Sequence, residues 1–183
     1  MGACLTKMKF IKSPLFGSYL IEMEVVEDER GFFARTFCRE EFLSHGLDFD
    51  VTQCSVSFNR IRGTLRGLHY QAAPHQEAKL VRCTMGAIHD VIVDIRADSP
   101  TFGHWWGTDL TVRNRHLLYI PEGVAHGFQT LEDETEVSYQ ISSPYVVDSA
   151  RGIRWDDPKF AICWPLAVSV ISMRDSGYPD FSL

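Results

Sequence analysis

The sequence predicts an all-β chain, a double-sheet jelly roll with a few short helices, and three observations predict it. Short runs rich in Val, Ile, Thr and aromatic residues recur along the chain, bounded by Gly, Pro, Asn and Asp. Good helix spacing appears in one short early stretch. Nowhere does a strand lead into the long amphipathic helix that a parallel α/β sheet requires.

In chain order, residues 19–26 (YLIEMEVV) open with alternating character, and residues 39–45 (REEFLSH) form the helix candidate, with Gly46 suited to its C-terminal cap. Strands follow at 79–83, with Leu80 and Val81, and at 87–95 (AIHDVIVDI). Residues 107–112 alternate Thr108, Leu110 and Val112, and the strands at 116–120 and 136–141 continue the series. Nine or more short strands within one domain, spanning residues 1–183, fit a jelly roll best.

A length of 183 residues is enough for one sizeable core, and 45% hydrophobic with 23% charged residues is ordinary for a globular protein. The formal net charge of -6 gives no support to nucleic-acid binding, though a local basic pocket for a phosphate ligand is compatible with it. No basic-then-apolar leader and no run of 18 apolar residues is present, so the expectation is a soluble cytoplasmic protein without a membrane partner. The five cysteines (Cys4, Cys38, Cys54, Cys83 and Cys163) are odd in number and widely spaced. That pattern disfavours a zinc knuckle, a redox dithiol or a disulfide framework, and most are expected to be small buried apolar residues.

Two segments concentrate the chemistry. Residues 62–71 (RGTLRGLHYQ) carry Arg66 and His69. Arg offers a planar fork for phosphate, and His titrates near neutral pH. Positions three apart point to opposite faces of a strand, so a bulge or bend near Gly67 is needed to bring both into one cavity. Residues 120–128 (IPEGVAHGF) turn at Pro121-Glu122-Gly123 and then return to a strand. His126 lies there between Ala125 and Gly127-Phe128, and is expected to be buried and hydrogen-bonded. Each histidine taken alone also fits a purely structural role. A metal reading would want His-x-His in the first half, but Gln71 stands two after His69, and His75 and Glu77 lie beyond a turn. Three convergent ligands are not evident, so no metal is expected.

Together these segments identify a resemblance. With residues 29–33 (ERGFF), 77–82 (EAKLVR), 90–96 (DVIVDIR), 99–103 (SPTFG), 152–158 (GIRWDDP) and 171–175 (ISMRD), the chain resembles the dTDP-4-dehydrorhamnose 3,5-epimerase family over nearly its whole length. The resemblance implies a cupin-type jelly roll that forms a homodimer, uses no cofactor and acts on a nucleotide-diphosphate sugar. His69 would be the general base, Asp175 its carboxylate partner, and Tyr139 the acid on the opposite face of the sugar. Lys79 and His126 would lie near the developing oxyanion. Arg30 and Arg66 would sit near the nucleotide, Arg66 beside the diphosphate, with Gln53 and Tyr145 at the nucleotide end.

These roles cohere chemically. A proton next to a ketone can be removed when the enolate is stabilised, and a carboxylate-held histidine gains basicity for that task. Lys79 supplies positive charge where the oxyanion grows. A phenol on the other side of a planar enolate completes inversion. The chain departs from the family pattern at Arg35, where a glutamate is common, and at Ser55, where an asparagine is expected. One extra residue also lies between Ser57 and Gly63. These departures concern the nucleotide side, where a cytidine or other diphosphate carrier would also fit a changed set of base contacts. A keto-sugar isomerase and a non-catalytic sugar-nucleotide binding module are the alternatives; the presence of His69, Tyr139 and Asp175 together favours the epimerase.

Overall fold

The computed structural model describes residues 6–182, and among them thirteen strands form two packed sheets and a separate hairpin. The six-stranded sheet runs β1 (Met8–Lys12), β2 (Tyr19–Met23), β10 (Leu117–Ile120), β7 (Lys79–Met85), β12 (Thr135–Ile141) and β5 (Gln53–Asn59). The five-stranded sheet runs β13 (Ala150–Gly152), β6 (Leu65–Gln71), β11 (Val124–Thr130), β8 (Ala87–Asp94) and β9 (Trp105–Thr111). Neighbouring strands within both sheets pair antiparallel, and the chain repeatedly crosses between them, which is the jelly-roll arrangement expected.

Alternation decides what each face meets. On β7, Val81 and Cys83 point between the sheets, where they join Ile88, Ile92, Leu110, Leu118, Val124, Phe128 and Val137. Leu80, one residue out of phase, faces the outer side of the six-stranded sheet and packs with Phe42, Phe49, Leu117 and Tyr119. A third cluster, including Leu68, Val91, Val93, Ile153 and Phe160, seals the outer side of the five-stranded sheet under the C-terminal segment. Both sheets are thus covered on two faces, which explains why β8 and β11 read as nearly continuous apolar runs.

Helix α1 (Arg39–Ser44) lies where it was expected, with Glu40 and Glu41 in its first turn. Gly46 adopts a φ of +76°, and the N–H groups of Gly46 and Leu47 donate back to the carbonyls of Leu43 and Phe42. The strand expected over 19–26 is two elements. β2 ends at Met23, opposite Met8 at the start of β1. β3 (Val25–Asp28) then leaves the sheet and pairs only with β4 (Gly31–Ala34). The cysteine expectation also needs correction. Of the four described, Cys83 alone is buried, Cys38 is half-buried, and Cys54 and Cys163 are exposed; Cys4 lies outside the described residues. No helix among the described residues is long and apolar enough to cross a membrane.

Candidate active site

The two sheets part at one end of the sandwich to leave a cavity of about 420 Å³. Its walls carry Arg66, His69, His126, Lys79, Tyr139, Gln53 and Tyr145. Arg66 and His69 do share this cavity, and the reason is the irregularity that their spacing demanded. His126 pairs with His69, and Phe128 with Arg66, so β6 holds one residue more than β11 between those two pairs. Gly67 sits in that bulge at φ +121°, and a Cβ there would lie 2.5 Å from the Gly127 Cα.

His69 Nε2 donates to Asp175 Oδ1 at 2.7 Å. Asp175 comes from α2 (Met173–Ser176), whose N-cap Ser172 accepts from the Asp175 N–H. The other carboxylate oxygen of Asp175 accepts the Gly67 N–H at 3.1 Å. Burial alone would raise this carboxyl, but the hydrogen bond and charge of His69, with the Gly67 and Ser172 contacts, hold it below the usual carboxylate range. An ionised partner on Nε2 leaves Nδ1 of His69 as the nitrogen free to take a proton.

Across the cavity, Tyr139 on β12 belongs to the opposite sheet. Burial, followed by the negative charge of Asp90, pushes its phenol well above the ordinary tyrosine range, against a smaller lowering effect of Arg66. Tyr139 therefore stays a neutral donor. His126 is buried and hydrogen-bonded as expected, with Nε2 2.8 Å from Asp90 Oδ2 and its ring edge-on to Tyr139 at 6.0 Å. The Lys79 ammonium lies 2.9 Å from Glu77 Oε1 and 3.3 Å from the carbonyl of His69.

At the mouth, Gln53 Oε1 accepts the Tyr145 N–H at 2.8 Å, and Arg66 is held by Asn59 Oδ1 and the Phe58 carbonyl. Two guanidiniums not singled out from sequence, Arg151 and Arg174, also line the cavity. Arg151 is tied only to backbone carbonyls, and Arg174 lies beside Tyr145 and Tyr178. Three guanidiniums thus converge on one cleft, none of them ion-paired to a carboxylate among the described residues, in a chain of formal net charge -6.

Arg30 is not brought to this cavity. It stands at the turn of the β3–β4 hairpin, exposed and engaged by Asp28, because that hairpin pairs with neither sheet. Arg35 is likewise outside the cavity lining and reaches Glu41 at 3.3 Å, whereas Ser55 lines the cavity. Gln71 is buried with its amide spent on backbone: it donates to the carbonyls of His75 and Pro144 and accepts from the Val146 N–H. Among the described residues no three His, Cys, Asp or Glu side chains gather as a possible metal site. Sequence reading passed over Asp90 as a site residue. The available signal was a charged residue alternating in phase with Ile88 and Ile92, on the inward face of an apolar strand.

A sequence model of the dTDP-4-dehydrorhamnose 3,5-epimerase family matches residues 12–182. The chain belongs to that family. A dTDP-4-dehydrorhamnose 3,5-epimerase of Sinorhizobium fredii is 40% identical over 180 residues, covering 98% of this chain and 92% of the relative. One of Methanothermobacter thermautotrophicus is 43% identical, covering 95% of each. The crystal structure of the Elizabethkingia anophelis dTDP-4-dehydrorhamnose 3,5-epimerase superposes with a TM-score of 0.92 at 37% identity, covering 95% of this chain and 96% of that one. Family membership makes this chain an isomerase of the cupin-like jelly-roll class.

Proposed function

We propose that this chain epimerises a dTDP-linked 4-keto-6-deoxy sugar, inverting one or both carbons next to the ketone in deoxysugar biosynthesis. The observation that carries the reading is the placement of a carboxylate-held histidine and a neutral tyrosine on opposite walls of one cavity. His69 Nδ1 takes the proton from the carbon beside the ketone. The charge that moves onto the ketone oxygen is met by Lys79 and His126. Tyr139 then delivers a proton to the other face of the planar enolate, which has lost its configuration.

The diphosphate lies among Arg66, Arg151 and Arg174, where planar guanidiniums suit phosphate oxygens. Gln53 and Tyr145 lie toward the base. The donor set requires no metal, since Gln71, the residue two after His69, has its amide committed to loop backbone. The chain works as one domain and as a homodimer, for which the exposed apolar pair Val26 and Phe33 on the hairpin supplies a contact surface.

The test is incubation with 4-keto-6-deoxy sugars carried on dTDP and on other nucleotides in deuterated water, followed by proton NMR. Deuterium at a carbon flanking the ketone, with the appearance of epimer from the dTDP sugar, is the expected result. Movement of the carbonyl without inversion would replace this reading with an isomerase.

A further inference from the structure

We infer that Glu77 is a positioning residue for this reaction: its carboxylate fixes the Lys79 ammonium so that one N–H remains for the ketone oxygen. The inference rests on the epimerase reading above. An ammonium carries three N–H donors. One meets Glu77 Oε1 at 2.9 Å and one meets the His69 carbonyl at 3.3 Å, leaving the third for the cavity that both side chains line. The Lys79 and Glu77 side chains are only 9% and 11% exposed, so water competes little for either.

The backbone on both sides of Glu77 is tied down. Gln71 holds the carbonyl of His75, and the His75 N–H donates to Ala72. Beyond Glu77, the Ala78 N–H donates to Ser142 Oγ at 2.8 Å, and the Ser142 N–H returns to the Ala78 carbonyl at 3.0 Å. Ala78 itself is turned into the cluster on the outer side of the six-stranded sheet. Its neighbours Glu77 and Lys79 both line the cavity. A lysine head on a four-carbon stem is otherwise free to rotate. Fixing it before substrate arrives is the preorganisation that makes a charged donor effective against a growing oxyanion. The sequence places Glu77 at the head of a family segment without giving it a role; the ion pair with Lys79 supplies one.

The experiment compares solvent-deuterium wash-in for the wild type, Glu77→Gln, Lys79→Met and the double variant. Glu77→Gln keeps shape and an acceptor oxygen but removes the charge that strengthens the bond. It is expected to lower kcat for exchange about 10-fold with KM unchanged, while Lys79→Met loses about 100-fold or more. Because Glu77 acts through Lys79, the double variant should be no slower than Lys79→Met alone. A wild-type rate in Glu77→Gln overturns the inference, as does an equal loss from Glu77→Gln in both backgrounds. A second measurement needs no substrate: the slowly exchanging ¹⁵N ammonium signal that disappears in Lys79→Met should also disappear in Glu77→Gln. Its persistence there would overturn the pairing. Failure of the epimerase reading is distinct, because the wild type would then form no epimer while the ammonium signal still reports the pair. Glu77→Asp, with the charge one methylene further back, substitutes if Glu77→Gln does not fold.

Discussion

At the scale of single residues, the proposed reaction divides the work between His69, held by the charge of Asp175, and Tyr139, kept neutral by burial. His69→Ala is expected to reduce deuterium wash-in about 100- to 10,000-fold, the range of a lost general base. Asp175→Asn should cost less, since the amide oxygen can still accept from Nε2, although the charge that fixes the tautomer and favours the imidazolium is gone. Near-normal wash-in in His69→Ala would assign the abstraction to another group. Tyr139→Phe tests the other wall. Abstraction by His69 continues and solvent deuterium can return to the original face, so inversion should fall much further than wash-in. Both are read in one NMR sample, and an equal fall in the two, or a fall in neither, would make Tyr139 structural.

At the scale of elements, the same strand β8 supplies one aspartate to a histidine of the cavity wall and one to the scaffold. Asp90 meets His126, while Asp94, fully buried at the strand's end, accepts from Arg96, Ser99 and Thr101 and so pins the loop that leads to β9. Burial works against the Asp94 carboxylate, but these hydrogen bonds prevail and bring it down to about 2. A carboxyl depressed in the folded state stabilises the fold above its ordinary value near 4 and loses that contribution as pH falls toward 2. The drop is worth roughly 2 kcal/mol. Wild-type urea midpoints should therefore decline between about pH 4 and 2. Asp94→Asn should be less stable at neutral pH by about 3 kcal/mol, as expected when one partner of a buried pair is removed. It should also lose part of that acid dependence. Parallel midpoint curves for the two proteins would show that Asp94 does not carry the effect.

At the scale of the whole molecule, the β3–β4 hairpin stands apart from both sheets and exposes Val26 and Phe33 side by side. Sedimentation velocity is expected to give twice the chain mass, and Phe33→Glu to shift the population toward the monomer at low micromolar concentration. An unaltered dimer in that variant would place the interface elsewhere. The jelly roll, most of its strands, the α1 cap and the bulge at Gly67 were legible in the sequence. Each follows from backbone alternation, turn residues or a spacing that only a bulge could reconcile, and these are properties of short stretches of chain. The family motifs likewise marked His69, Tyr139, Asp175 and Lys79. The resemblance paired His69 with Asp175 across 106 residues, but only the tertiary structure decided that His126 meets Asp90 across 36, that Glu77 meets Lys79, and that Arg151 and Arg174 lie beside Arg66. It also set Arg30 apart from the cavity, on a hairpin that the strand pattern had merged with β2. The reason is physical. Alternation tells which way a side chain points from its own strand, whereas its partner depends on sheet order, register and the return of distant chain, and those are fixed by packing.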